Sequence, residues 1–267
     1  MGRIITLTTD FGLSDAYVGV MKGVILRIAP QATIVDICHD IAAQDVLAAG
    51  FLLAGAYSYF TEGTIHVAVV DPGVGTSRRA IAIKDGGYIF VGPDNGIFSF
   101  ILCAPASAAL QAVHLTNRDY WLAAPSATFH GRDIFAPVAA HLAAGVPLAA
   151  LGTEVAVDDL VRLPLPRLER RGDVIYGEVV HVDHFGNLVS NITATSLHDP
   201  HALLVEIAGV RISGLSPSYA AGEAGQPMAL IGSTGYLEIA VPGGSAARVL
   251  MAGKGTPVAV IDRISAP

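Results

Sequence analysis

Two carboxylates, Asp10 and Asp71, each follow directly on a strand-like run, Ile4–Thr9 and Thr64–Val70. Ligands of open parallel sheets bind beyond the carboxyl ends of the strands, so acids in that place are candidates for substrate contact or proton transfer. A lone Asp there is also an ordinary cap or turn former; two on one rim point to a site. After Asp71 the chain runs Pro72-Gly73-Val74-Gly75-Thr76-Ser77-Arg78-Arg79, a glycine-permissive turn able to return Arg78 to the carboxylate. That pair sets an acceptor beside a planar fork of donors and can hold a water between them. A surface turn closed by an ion pair fits the same spacing. His130, in Thr128-Phe129-His130-Gly131-Arg132-Asp133, stands at an expected helix start, where backbone donors and the positive dipole end collect. Histidine also serves there as a cap or a satisfied core group.

Two further clusters follow. Asp183-His184-Phe185-Gly186-Asn187 places a carboxylate and an amide around a glycine turn, and Ser233-Thr234-Gly235-Tyr236-Leu237-Glu238 ends an apolar run. Asn187 has the donor–acceptor edge that pairs with a purine, although Phe-Gly-Asn is equally a hairpin turn. Other matches fail on spacing. There is no GxxxxGK[ST] loop, and the third glycine of GxGxxG is missing after Gly75, which disfavours phosphate cradling. His181 and His184 point to opposite faces of a strand, while His198 and His201 share a Pro-containing loop without a spaced third ligand, so no metal is expected. Asp10-Phe11-Gly12 matches the kinase magnesium motif without its Gly-rich loop or catalytic segment, and no nucleophile elbow is present. His39, His66, His114 and His141 read as structural.

The elements that position these residues fall into two sets. The first 160 or so residues alternate strand and helix patterns: Ile4–Thr9, a helix from Asp15 to Ile28 capped by Ser14, Thr33–Cys38, a helix over Gln44–Tyr59, and Thr64–Val70. That order predicts right-handed crossovers in a parallel sheet. Ala80–Lys84 and Tyr88–Val91, joined by Asp85-Gly86-Gly87, predict a hairpin, and a helix is expected from about Arg132 to Ala144. Two prolines and a charge run break the pattern at 162–172. Beyond them only short β-type runs remain: Tyr176–Val182, Ala202–Ile207, Met228–Ile231, Tyr236–Val241 and Pro257–Ile261. The expected fold is α/β: an N-terminal domain (1–163) with a mixed, mostly parallel sheet flanked by helices, a linker (164–172), and a smaller antiparallel, β-barrel-like C-terminal domain (173–267).

Composition narrows the classes. Among 267 residues, 15% are charged and 52% hydrophobic, the opposite of a disordered segment. Sixteen Lys+Arg against 23 Asp+Glu give a net charge of -7, which argues against a nucleic-acid partner. The apolar stretches are too short or too broken by Pro and polar groups to cross a membrane. Cys38 and Cys103 match no redox or metal spacing, and with no signal peptide at the start, a reducing, cytoplasmic setting is expected.

Six motifs stand in one order: Thr9-Asp10-Phe11-Gly12 with Asp15, Val70-Asp71-Pro-Gly-Val-Gly-Thr-Ser-Arg78, Gly92-Pro-Asp-Asn-Gly96, Thr128-Phe-His130-Gly-Arg-Asp133, Asp183-His-Phe-Gly-Asn187 and Ser233-Thr-Gly-Tyr236. Over nearly its whole length the chain resembles the S-adenosyl-L-methionine (SAM) hydrolase (adenosine-forming) family, the SAM hydroxide adenosyltransferases, relatives of fluorinating and chlorinating enzymes. The resemblance implies a homotrimer with active sites between the N-terminal domain of one subunit and the C-terminal domain of the next. It implies a catalytic Asp71–Arg78–His130 set, with Asp10 on the ribose hydroxyls. Asp15, Asp183 and Ser233 would hold the methionine end, and Asn187 and Tyr219 would face adenine. Tyr236 and Glu238 are weaker additions from the Ser233 motif.

Departures select the branch. The halogenating relatives carry an uncharged residue where this chain has Asp71 and another type at His130, and the fluorinating branch has an extra loop after the Arg78 region. It also places an aromatic at Gln44 and an Arg at Thr234. The implied reaction is in-line attack of water or hydroxide on ribose C5′, giving adenosine and L-methionine. The sulfonium is already a good neutral leaving group, so no metal or redox cofactor is required. A carboxylate is too weak a base to form free hydroxide in advance; it accepts the proton as attack proceeds. The rivals are a SAM-dependent chlorinase, which Asp71 disfavours, and a non-catalytic SAM- or adenosine-binding protein.

Overall fold

The structure, a computed structural model, describes residues 2–103, 110–198 and 203–262. The chain divides into two compact units, Met1–Pro164 and Leu165–Pro267. In the first, β1 (Ile4–Thr9) leads through α1 (Tyr17–Ile28) to β2 (Thr33–Cys38), then through α2 (Val46–Ala56) to β3 (Ile65–Val69). A hairpin of β4 (Ala80–Asp85) and β5 (Tyr88–Pro93) follows, then α3 (Ser99–Cys103), β6 (Gln111–His114), α4 (Ala136–Ala143) and β7 (Thr153–Val155).

These strands form one mixed sheet in the order β2-β1-β3-β5-β4-β6-β7. The β2-β1-β3-β5 half is parallel, and β4, β6 and β7 add antiparallel pairings. Alternation along the strands builds two cores. Ile5 and Leu7 pack with Met21, Ile25, Phe135 and Val138 under α1 and α4, whereas Ile81, Ile83 and Phe90 pack with Ala49, Leu53 and Ile101 under α2 and α3. The connection leaving β1 therefore crosses one face and that leaving β2 the other. Their divergence opens a crevice at the carboxyl ends of β1 and β3, where Asp10 and Asp71 stand.

The helix starts differ from expectation. Ser14 is not a cap: α1 begins at Tyr17 behind Ala16, without a side-chain cap bond. α2 begins at Val46 because Gln44 has a φ of 68°, which no right-handed helix accepts, and Asp45 caps instead, accepting from the Ala48 N–H at 3.0 Å. Gly50 is required within it, since a Cβ would lie 2.6 Å from the Ile97 carbonyl. The last expected helix is divided, a wide π turn at Gly131–Phe135 running into α4.

The second unit is an antiparallel sheet of β8 (Glu169–Arg171), β9 (Val174–Val182), β10 (Leu188–Thr193), β11 (Leu203–Ile207), β12 (Val210–Ser213), β13 (Met228–Ile231), β14 (Tyr236–Ala240) and β15 (Pro257–Asp262), with α5 (Ala246–Val249) before β15. The order β12-β11-β15-β9-β10-β14-β13 curls until the Ser216 N–H, just past β12, reaches the Ala229 carbonyl of β13 at 2.8 Å, which nearly closes a barrel. Residues 169–171, expected in the linker, pair with β9. Arg162 and Leu163 belong to the first unit, bonding to the Leu102 carbonyl and the Ser99 hydroxyl. His198 Nδ1 lies 2.7 Å from buried Asp262, which Arg170 also contacts at 3.1 Å. His201 lies outside the described residues. Among the described residues no cluster fit to hold a metal occurs, and no helix is long and apolar enough to cross a membrane.

Burial shifts the titration of a core histidine. His66 on β3 is fully buried, its Nδ1 2.8 Å from the Thr6 hydroxyl, with Tyr57, Phe60, Tyr88 and Phe90 around its ring. Burial lowers its pKa to about 4. The fold therefore favours neutral imidazole, and that stabilisation is complete above the unfolded pKa of 6.5 and shrinks as pH falls toward 4, by roughly 3 kcal/mol at the limit. Thermal denaturation between pH 7.5 and 4 should show this loss. His66→Leu, which strands the Thr6 hydroxyl, starts lower by about 1 kcal/mol but declines less steeply with acid.

Candidate active site

Asp71 ends β3, and the turn after it is fixed by its own bonds. Val74 N–H donates to the Asp71 carbonyl at 3.1 Å, Thr76 N–H and hydroxyl to the Gly73 carbonyl at 3.2 and 2.7 Å, and Arg78 N–H to the Thr76 hydroxyl at 3.3 Å. Gly75 has a φ of 78°, and a Cβ there would sit 2.3 Å from the Ala127 carbonyl. The turn carries Arg78 back onto Asp71: Nε donates to both carboxylate oxygens at 3.0 and 3.1 Å, and an Nη atom closes the fork on Oδ2. Both side chains are nearly buried, 4% exposed for Asp71 and 10% for Arg78. Carboxylate and guanidinium thus touch directly, instead of holding a water between them.

The same Nη group lies 2.7 Å from His130 Nδ1. Guanidinium has only donors, so Nδ1 accepts, which places the proton of the neutral ring on Nε2. Burial, then the Arg78 charge, lowers the His130 pKa below 6.5, against opposing pulls from Asp71 and Asp133. His130 sits just before the π turn. Gly131 leaves room for Met21, Phe11 and Phe129, each within 3.3 Å of where its Cβ would be. Buried Asp133 ties the loop in front: it accepts from the Ser126 N–H at 2.8 Å and from Arg132 at 2.6 and 3.0 Å. Burial alone would raise its pKa, but these donors hold it below the ordinary carboxylate range. On the far side of Asp71, the Asn95 amide of the Gly92–Gly96 motif donates to the Val70 carbonyl at 2.8 Å.

A cleft of about 420 Å³ opens over this set, walled by Asp10, Asp71 and His130, by Gln44 and by the aromatic trio Phe11, Tyr17 and Phe129. The three rings meet at 5.1–5.8 Å between centroids. Arg78 does not line the cleft; it braces Asp71 and His130 from behind. Asp10 accepts from the Gln44 N–H at 2.8 Å. Asp15 is exposed and outside the cleft wall. Sequence reasoning did not find the wall roles of Tyr17 and Phe129. The signal available was the aromatic at each flank of the Asp10 and His130 motifs.

The second unit gathers the other expected residues. Asp183 closes the turn from β9 to β10, accepting from the Phe185 and Asn187 N–H groups at 2.9 and 2.8 Å and from the Asn187 amide at 2.9 Å. Three bonds leave a carboxylate capacity for about one more. Nearly buried Glu238 accepts from the Tyr219 hydroxyl at 2.6 Å. Burial and nearby Asp183 raise the Glu238 pKa despite that bond, and burial with the Glu238 contact pushes Tyr219 up to about 12. Ser233 is exposed and Tyr236 half-buried at the start of β14.

Both units match known families along most of their length. The models "SAM hydroxide adenosyltransferase N-terminal domain" and "SAM hydroxide adenosyltransferase C-terminal domain" match residues 5–152 and 177–259. An (R)-S-adenosyl-L-methionine hydrolase of Salinispora tropica is 44% identical over 92% of this chain and 93% of its own length. A protein of the same name from Thermus thermophilus is 42% identical over 97% and 100%. Fluorinases are more distant, at 28–31% identity. A solved structure of an uncharacterized conserved protein from Thermotoga maritima superposes with a TM-score of 0.89 at 35% identity, covering 96% of this chain and 99% of that one.

Gly75→Ala should separate the turn from the rest of the site. It forces a side chain into the left-handed region, costing roughly 1–2 kcal/mol before the Ala127 clash is counted. Urea denaturation should show at least that loss, with displaced Arg78 visible as a changed His130 imidazole resonance.

Proposed function

Because the chain belongs to the SAM hydroxide adenosyltransferase family, we propose that its cleft hydrolyses S-adenosyl-L-methionine to adenosine and L-methionine. The observation that carries the mechanism is the hydrogen-bonded chain Asp71–Arg78–His130, whose two ends, Asp71 and His130, stand on the cleft wall. Water attacks C5′ in line with the sulfonium. The new O–C5′ bond forms as the C5′–S bond breaks, its electron pair neutralising sulfur to give the thioether of methionine. The water proton passes to Asp71 and then to solvent. Arg78 keeps the carboxylate oriented, and the neutral His130 offers Nε2–H as a second polar contact for the incoming oxygen. The leaving group is activated in the substrate itself, so the reaction uses no cofactor.

Asp10 binds the ribose hydroxyls, its orientation supported by Gln44. Asp15, Asp183 and Ser233 serve the methionine end, Asn187 and Tyr219 face adenine, and Tyr236 and Glu238 add further substrate contacts. The Glu238 bond that fixes the Tyr219 hydroxyl supports its place in that group. Domain limits of 1–163 and 173–267, a homotrimeric assembly and a cytoplasmic setting complete the reading. Cys38 and Cys103, both free thiols, fit a reducing compartment. Sedimentation tests the assembly: a trimer runs at three times the chain mass of 27.6 kDa.

Incubation with SAM and chloride, followed by chromatography, separates hydrolysis from its rivals. Adenosine plus methionine supports it; chloroadenosine marks a chlorinase and unchanged SAM a sensor. Asp71→Asn should lower kcat by about 10²–10³-fold, in line with general-base loss. The pH profile has a definite sign. His130, with its pKa below 6.5, accepts from Arg78 only when neutral, so kcat/KM should hold at pH 7 and fall on an acid limb below pH 6.5. His130→Gln should displace or remove that limb.

A further inference from the structure

Behind Asp10 lies a buried histidine that the reaction leaves unused. His39, following β2, has a side chain 2% exposed, and its two ring nitrogens face two different elements. Nδ1 is 2.8 Å from the Thr9 hydroxyl on the last residue of β1, immediately before Asp10. Nε2 lies 3.1 Å from Asp36 Oδ1, too oblique for a regular hydrogen bond, and Asp36 is also held by Lys22 of α1 at 2.6 Å. The carboxylate has only acceptors, which favours the proton on Nε2 and makes Nδ1 the acceptor of the Thr9 hydroxyl. Thr9 then accepts the Phe11 N–H at 3.2 Å, and the His39 carbonyl accepts the Gly12 N–H at 2.8 Å. Both ends of the Asp10–Phe11 step are therefore tied to one residue. From the opposite side comes the Gln44 N–H, aimed at Asp10 Oδ2 by a backbone held at φ 68°. A non-glycine residue in that conformation at a cleft wall is strain held in place by its surroundings.

We propose that His39, braced by Asp36 and Lys22, is the positioning residue for the ribose contact of Asp10. It touches no substrate. It fixes the turn through Thr9 and Gly12, so that the Asp10 carboxylate meets the ribose diol without having to reorganise. The inference rests on the hydrolase reading and deepens it by assigning substrate orientation to a residue whose sequence context reads as structural.

The test is steady-state hydrolysis of SAM by the full chain. His39→Ala should raise KM at least five-fold with a smaller change in kcat. His39→Asn, which keeps a polar atom near Nδ1 for Thr9, should recover most of that loss, while His39→Gln, which reaches only toward Asp36, should not. In an Asp10→Ala background, His39→Ala should add less than two-fold, and the same should hold in parent protein assayed with the 2′-deoxyribose analogue of SAM. Thr9→Val, nearly isosteric, should reproduce the KM rise and decides the matter if His39→Ala does not fold. Parent-like KM in both His39→Ala and Thr9→Val, or an undiminished His39→Ala penalty without Asp10, overturns the positioning role. A parent protein that leaves SAM intact overturns the hydrolase reading instead.

Discussion

One guanidinium shared between a carboxylate and an imidazole is the constraint on which the site depends. Arg78 gives its fork to Asp71 and one further donor to His130, and the Asp71 and Arg78 side chains are both nearly buried. Desolvating such a pair is expensive, and removing either charge strands the other at a cost on the order of 3–5 kcal/mol. The surrounding fold has to supply three things at once: a strand end for Asp71, a turn tight enough to return Arg78 seven residues later, and a loop that delivers His130 from far along the chain. The β1/β3 crevice, the left-handed Gly75 and the Asp133-anchored π turn supply them in that order.

The pairing also governs what each group can do. A carboxylate gripped on both oxygens is a poor nucleophile toward carbon but remains an acceptor for a proton that departs during attack. Imidazole held as an acceptor at Nδ1 stays neutral and presents Nε2–H. Since the sulfonium brings its own leaving-group activation, the protein's task is orientation and partial exclusion of water, and the aromatic wall of Phe11, Tyr17 and Phe129 suits that task.

Much of this was legible in the sequence because it was local. The β-branched runs, the Gly86 hairpin and the seven-residue Asp71–Arg78 spacing are patterns of neighbours. The mixed α/β sheet and the barrel-like second sheet follow from the order of those runs. What escaped was set at a distance. β6 and β7 are four and three residues long; β6 exists because β4 offers an edge, and β7 because β6 then offers the next. β10 was hidden by Ser190 and Asn191, whose polar side chains bond inward, to the Leu237 and Pro166 carbonyls. The start of α2 differs because Gln44 takes a conformation that residue type does not announce. The contact of Arg78 with His130 joins residues 52 apart, and no spacing rule reaches that far. The His39 ring likewise reads as structural from its sequence neighbours, because its contacts with Thr9 and Asp36 on either side are made only by the fold.

In the proposed reaction Asp71, locked to Arg78, acts on a water and does not itself attack the sugar carbon. A single turnover in water enriched in ¹⁸O, with enzyme in excess over SAM, tests this directly by mass spectrometry of both adenosine and the Asp71-containing peptide. The label is expected in the 5′-hydroxyl of adenosine and not on Asp71. Unlabelled adenosine together with ¹⁸O on the Asp71 carboxylate would mean a covalent ester intermediate and would contradict it.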